Sequence, residues 1–313
     1  MLKQLLLTME IISKRHFYKF YLALILVNAF FLILISVSHE YFKHNNKSFA
    51  IEFLIFTAIA ISINVGFIKN APSITINKKG ITFKNQFYSW YDLSSVKLTG
   101  KGGMIFTSGE CATLTFNNSV EIQIIDDFYS NISEMKCFIQ QIVIEKKNKI
   151  EFTKQDIIAS DIDKNILVSY KGNPLFSFLG IYLWVLILLL FFILIYTIKH
   201  LNINGFVVSI ILILLLFYIF YRLMHYFEVS TYIFCVRKHY FYWKKDYYNI
   251  SDIRDIVIER QGKFSNRLRL ITKDFETKLY PAVGLSDKTW LKMKKDLESK
   301  NITVRNENIN EYN

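Results

Sequence analysis

Uncharged apolar runs and alternating apolar–polar stretches take turns along this chain. Phe20–Val37 (FYLALILVNAFFLILISV), Leu175–Ile198 and Asn202–Tyr221 carry no charged residue, and Phe49–Ile68 is interrupted only by Glu52 near one end. A hydrocarbon core of about 30 Å needs about 20 apolar residues at the helical rise, so each run predicts a membrane-spanning helix. The four runs fall into two hairpins, and behind each hairpin the pattern changes period. From Ser73 to Gly100 (SITINKKGITFKNQFYSWYDLSSVKLTG) residues alternate around a turn at Asn77–Gly80. Further short strands are broken at Gly102–Gly103, Ser108–Gly109 and Asn117–Asn118. A helical stripe then follows, with Ile132, Met135, Phe138, Ile139, Ile142 and Val143 on one face and Ser130 as its cap. The second half keeps this order. Strands are expected in TYIFCVRKHYFYWKKDYYNI, IRDIVIER and NRLRLITKDFETKLYPA, and then a helix, Ser286–Lys300, opened by Ser286-Asp287. Many short antiparallel strands closed by one helix predict a small β-barrel or sandwich.

One phrase recurs. YSWYDLSSVKL places Trp90, Asp92, Leu93 and Val96 at the spacing at which YNISDIRDIVI places Ile250, Asp252, Ile253 and Ile256, and Asp252 lies 160 positions after Asp92. The same shift carries the first apolar run into the third and overlaps the second with the fourth. A duplicated unit, a membrane hairpin followed by a module, accounts for this. In each copy the aspartate is expected to make an Asx-type turn at a corner anchored by the flanking apolar residues. The expected division is a cytoplasmic segment 1–19, hairpin 20–68, module 69–146, linker 147–174, hairpin 175–228, module 229–304 and a polar tail 305–313.

Charge sets orientation. The chain has 38 Lys and Arg against 26 Asp and Glu, a net charge of +12, with 52% hydrophobic residues. Lys3, Lys14, Arg15 and Lys19 precede the first helix and the long segments behind each hairpin are rich in basic residues, whereas the first short loop carries Lys43 and Lys47 beside Glu40 and the second only Lys199. By the positive-inside rule both termini and both modules lie in the cytoplasm. Basic residues scattered among carboxylates argue against a nucleic-acid partner and fit an anionic leaflet. The excess is larger in the second module, where Arg237, Lys238, Lys244 and Lys245 lie near the membrane exit and Arg267 alternates with Arg269. These six are the lipid-surface candidates. Cys111, Cys137 and Cys235 show no zinc or CxxC spacing and are expected as reduced thiols.

A two-helix hairpin, a strand-rich module with an apolar-x-Asp-Ile/Leu-x-x-Val/Ile corner, and a closing helix together resemble the bacterial PH-like (YcxB-like) membrane protein family, here duplicated. The stretch Ile150–Phe176 is similar to the polar lead-in before the hairpin in that family, and LLLTMEIISKRHFYK to a shortened copy of it. The resemblance implies an α+β membrane protein with a PH-like barrel or sandwich and C-terminal helix behind each hairpin. It also implies a multi-pass place in the bacterial cytoplasmic membrane and a protective role of the bacteriocin- or toxin-immunity kind.

Little points to catalysis. His39, Glu40 and His44 place two histidines five apart, off one helical face, where a zinc-protease motif needs four. No Walker, GxSxG or GxGxxG motif occurs, so neither an enzyme nor a cofactor is expected. Within the helices Asn28, Glu52 and Asn64 are the polar residues to explain, either by interhelical bonding or as a polar path. The leading expectation is a non-enzymatic interaction or scaffold protein whose partners are anionic lipid and another protein or a second copy. The alternative is a small transporter, or an accessory subunit of one, that uses the helices.

Overall fold

The computed structural model describes residues 10–41, 46–103, 109–147, 150–151, 167–173, 176–200, 203–239, 245–260 and 266–310. The chain divides into two units, Met1–Phe152 and Thr153–Asn313.

The first unit opens on strand β1 (Glu10–Ile12), then enters the membrane-like hairpin through a wide helical turn, Phe17–Leu22. The hairpin helices are α1 (Ala23–Tyr41) and α2 (Asn46–Asn70). Strands β2 (Ile74–Asn77), β3 (Gly80–Phe83) and β4 (Gln86–Ser89) follow, and β1 pairs with β2 to give one sheet in the order β1-β2-β3-β4. A second sheet contains β5 (Leu93–Lys97), β6 (Lys101–Gly102), β7 (Gly109–Phe116) and β8 (Glu121–Ile125), all joined through β7. Helix α3 (Ile132–Phe138) closes the unit and continues as a wider turn to Ile144.

The second unit repeats this plan. Strand β9 (Val168–Tyr170) precedes helices α4 (Phe178–Lys199) and α5 (Ile203–Leu223). It pairs with β10 (His225–Val229), which continues into β11 (Ile233–Lys238) and β12 (Lys245–Asn249). Strands β13 (Ile253–Glu259), β14 (Arg267–Thr272) and β15 (Thr277–Pro281) form the other sheet. After helix α6 (Asp287–Ser299), β16 (Thr303–Asn306) pairs parallel with β13, an addition without a counterpart among the described residues of the first unit. Ser286 caps α6 by accepting from the Thr289 N–H. Phe227, Val229, Phe234 and Val236 from one sheet, Ile256, Ile258, Leu268 and Leu270 from the other, and Trp290, Met293 and Leu297 of α6 make one core.

Among the described residues, three helical stretches are long and apolar enough to cross a membrane: Phe17–Ser36, Ala50–Asn70 and Gly180–Lys199. Helix α5 forms where the fourth span was expected, but its described apolar stretch, Gly205–Tyr218, is shorter.

Strand pairing redraws the expected division. Segment 1–19 and linker 147–174 each contribute an edge strand to the module that follows, and β10 takes the last residues of the expected hairpin 175–228. Each hairpin is therefore an insertion between the first two strands of its module. Both feet are packed. In the first unit Phe20, Phe67 and Phe128 cluster with centroids 6.1–6.3 Å apart. The Arg15 Nε there donates to the Ala71 carbonyl at 2.9 Å. In the second, Leu183, Ile187, Phe220 and Met224 pack with Val283, whose N–H donates to the Leu223 carbonyl at 3.3 Å.

The duplication is visible bond by bond. Trp90–Asp92 and Ile250–Asp252 each form a short 3-10 turn. The Trp90 N–H donates to the Lys79 carbonyl and the Ile250 N–H to that of Tyr232, while the Asp92 carbonyl accepts from Asn117 N–H and that of Asp252 from Lys273 N–H. A register shift follows Leu93 in one copy and Ile253 in the other. The offset of 160 holds only at the corner. It is 153 between Lys79 and Tyr232 and 156 between Asn117 and Lys273, because the loops of the two copies differ in length.

The aspartate side chains are a correction. The carboxylate of Asp252 accepts from the side chains of Asn249 and Ser251, at 3.1 and 3.2 Å, and Asp92 is exposed, so it is the main-chain carbonyls that fasten the corners. An Asx turn does occur at Asn77, whose Oδ1 accepts from the N–H groups of Lys79 and Gly80; Ser230 Oγ serves Tyr232 and Ile233 alike. Ser130 is also not the cap of α3. Asn131 occupies that position, with its amide on Lys14 N–H and the Ile12 carbonyl, and so ties β1 to the helix.

Candidate membrane-surface site

The lipid-surface candidates separate once strand register is known. Arg269 is fully buried and bidentate to Glu259, with Nε–Oε2 and Nη2–Oε1 both 3.1 Å. Arg267 shares the same carboxylate, Nε–Oε1 2.9 Å. Both are corrected from lipid contacts to an interior ion cluster, since a charge leaves water only when it is paired. Arg237 is paired with Glu228 at 2.7 Å, but lies close to the foot of the hairpin. Lys245 faces Arg237 across β12, and Lys238 faces His225 across β11, so these two stand on opposite faces of one sheet. Lys244 lies outside the described residues, as does His44 of the loop motif.

The end of the second module next to α5 also holds side chains that the sequence did not single out. The Tyr280 hydroxyl donates to Asp246 Oδ2 at 2.9 Å, and Tyr248 bonds to the Tyr280 oxygen. Lys278 in turn bonds Tyr248 and lies 5.3 Å from its ring. The order ammonium, phenol, phenol, carboxylate lets every donor point toward the next acceptor. Burial pushes the Tyr248 phenol above its ordinary value, and burial together with Tyr248 and Asp246 pushes that of Tyr280 further. The His225 ring stacks edge-on against Tyr280 at 5.5 Å, and its Nδ1 bonds the Pro281 carbonyl at 2.7 Å. Burial holds its pKa down to about 4.

The internal copy separates what the fold requires from what only this module carries. Pro72, Gln86, Tyr88, Ile122 and Ile124 stand where the second module has His225, Asp246, Tyr248, Lys278 and Tyr280, by the hydrogen-bond and strand-register correspondences above. The Tyr88 hydroxyl there bonds Gln86 at 2.7 Å, so the neutral half of the chain persists without its charges. The signal in the sequence was Asp246 against Gln86 at the offset of 160, legible only once the hairpins are aligned.

Within the first hairpin Asn28 and Asn64 bond reciprocally, 3.0 and 2.9 Å, and each gives its remaining amide hydrogen to a carbonyl one turn earlier. Glu52 is half-buried on α2, distant in sequence from that pair. Cys111, Cys137 and Cys235 are buried free thiols.

Comparison of the chain with family models, with characterised proteins and with solved structures finds no match.

Proposed function

We propose that this chain is a non-enzymatic interaction protein of the bacterial cytoplasmic membrane. In this reading four helices cross the bilayer, both termini are inside, and two PH-like modules stand at the inner leaflet to engage anionic lipid and either a partner protein or a second copy. The observation that supports it most is the foot of each hairpin. The helices of each hairpin are inserted between the first two strands of a module and packed against it, so each helix pair and its module share one packed junction. A protein anchored this way presents its sheets at a fixed height above the lipid, which suits a scaffold. Similarity to the PH-like family adds an immunity-like protective role as the specific form of that function.

Transport through the helices has less support. The Asn28 and Asn64 amides are spent on each other and on their own helices, as in an interhelical clamp. The test is mild-detergent purification of the full chain with mass spectrometry of what accompanies it, beside flux measurements in proteoliposomes. The proposal expects a stoichiometric companion or self-association and no flux. Ion or proton flux abolished by Glu52→Gln would overturn it in favour of a transporter.

A further inference from the structure

The outer face of the β9–β12 sheet carries an arrangement that the fold does not need. Tyr170 faces Phe227, Tyr226 faces Arg237 and Arg237 faces Lys245, so register sets Lys171, Tyr226, Arg237 and Lys245 in one row across four strands. The Lys171 Nζ stands 4.9 Å over the Tyr226 ring, and the His239 ring lies 4.8 Å from that same ring. The His239 N–H donates to the Met224 carbonyl, which fixes it beside the end of α5. Its Nε2 is buried and has no hydrogen-bond partner among the described residues, a condition that calls for an explanation in a native fold. Burial, and then the Lys171 ammonium, hold the ring down to a pKa of about 4, so near neutral pH it is uncharged.

Height decides what can reach this place. Tyr226 is three residues past Leu223, the last of α5, and a strand rises about 3.3 Å per residue, so Tyr226 lies within about 10 Å of the helix end. Headgroups extend roughly 5–8 Å beyond the hydrocarbon on each side, and a lysine side chain spans the remainder. The carboxylate on this face, Glu228, sits two residues farther along β10 and is paired with Arg237. In the first unit Ser73 takes the place of Tyr226 and Lys14 that of Lys171. The β3–β4 hairpin there is shorter and has no counterpart of His239 or Lys245.

We propose that Lys171 and His239, both packed on the buried Tyr226 ring, bind the phosphodiester of an anionic glycerophospholipid in the adjoining leaflet. Lys171 supplies the charge and His239 Nε2 donates its proton to a phosphate oxygen, while Tyr226, 1% exposed, is the buried ring against which both are packed and held. Arg237 and Lys245 continue the positive row. The assignment rests on the reading of this module as facing the inner leaflet, and it adds the residues and the headgroup chemistry.

The experiment uses the full chain in phospholipid-free maltoside micelles. Histidine ring signals are followed by NMR, His239 being identified by its loss in His239→Gln, and lipid retention is read by native mass spectrometry. Phosphatidylglycerol should shift the His239 signals and raise its pKa, while phosphatidylcholine and inorganic phosphate at equal concentration should have little effect. Lys171→Gln should weaken phosphatidylglycerol retention about fivefold, the equivalent of one lost surface charge, and Lys171→Arg should restore it. A silent His239, unchanged retention in Lys171→Gln, or an equal response to inorganic phosphate would overturn the site. If phosphatidylglycerol is retained while His239 stays silent, the inner-leaflet reading survives and only this site fails. If the lipids are not distinguished at all, both fall.

Discussion

Glu259 should be the most costly single charge to remove from the second module. It is 6% exposed, holds the fully buried Arg269 through two hydrogen bonds of 3.1 Å, and is ion-paired with Arg267 Nε at 2.9 Å. Glu259→Gln keeps the shape but takes away the carboxylate to which both guanidinium groups are paired. At an effective dielectric of about 20, unit charges about 4 Å apart attract by about 4 kcal/mol. Breaking a buried pair by removing one partner costs about 3–5 kcal/mol, in agreement. For a unit of this size that lowers the melting temperature by roughly 6–20 °C. Thermal unfolding in maltoside can be followed by a thiol-reactive dye, because Cys235 is buried in this unit and Cys111 and Cys137 can be replaced by serine. Joining Glu259→Leu to Arg269→Met and Arg267→Gln should recover most of the loss, since removing all the charges leaves none stranded. A Glu259→Gln protein that melts within a degree of the parent would refute the reasoning. So would loss of anionic-lipid retention in Arg269→Gln at an unchanged melting temperature, which would return that residue to the lipid surface.

Tyr280→Phe removes the central hydroxyl between Tyr248 and Asp246 and should cost about 1–2 kcal/mol, as Asp246 is exposed and regains water; unfolding of the Cys235-only protein measures it. Asn28→Leu and Asn64→Leu should each weaken the first hairpin by about 1 kcal/mol, and the double variant should cost little more than either single one, because the two share one pair of bonds; helix-to-helix crosslinking against detergent titration gives the comparison. The second module should lose stability as pH falls. His225 titrates near 4 when folded and near 6.5 when unfolded, so the unfolded chain binds the proton first. The contribution is complete above about pH 6.5 and declines toward pH 4, by on the order of 2–3 kcal/mol. Replacing His225 with Asn should reduce the slope by about half, since His239 is held down to about 4 as well, and an unchanged slope would show that the His225 imidazole is not buried as described.

Much of the architecture was legible in the sequence because it rests on long, uniform signals. Uncharged runs of about 20 residues have few other meanings, and Ser286-Asp287 before an amphipathic stretch marks a helix start. The edge strands Glu10–Ile12 and Val168–Tyr170 were not legible. Three residues are too few to show alternation, and each is separated from its pairing partner by an entire hairpin. That separation hid the insertion of the helices into the modules and made the lead-ins read as linkers. Arg267 and Arg269 were seen to share a strand face, but which face is buried depends on Glu259, on another strand. The Lys278 to Asp246 chain gathers residues from β12 and β15, and His239 drew no notice because one histidine at a strand end carries no pattern. The corner aspartates were found for the right position and the wrong atom: the main-chain carbonyl does the fastening, and any residue supplies one.

Two modules on the cytoplasmic side of one membrane is the central claim, and labelling by a membrane-impermeant maleimide tests it most directly. The native thiols are buried, so they add little background and are poor reporters themselves. Tyr91 and Tyr232 are 95% and 78% exposed, one in each module, and Asn45 falls in sequence between the two apolar runs of the first hairpin. In intact cells Asn45→Cys should be labelled, while Tyr91→Cys and Tyr232→Cys should be labelled only after the membrane is opened. Labelling of either tyrosine position from outside would contradict the account.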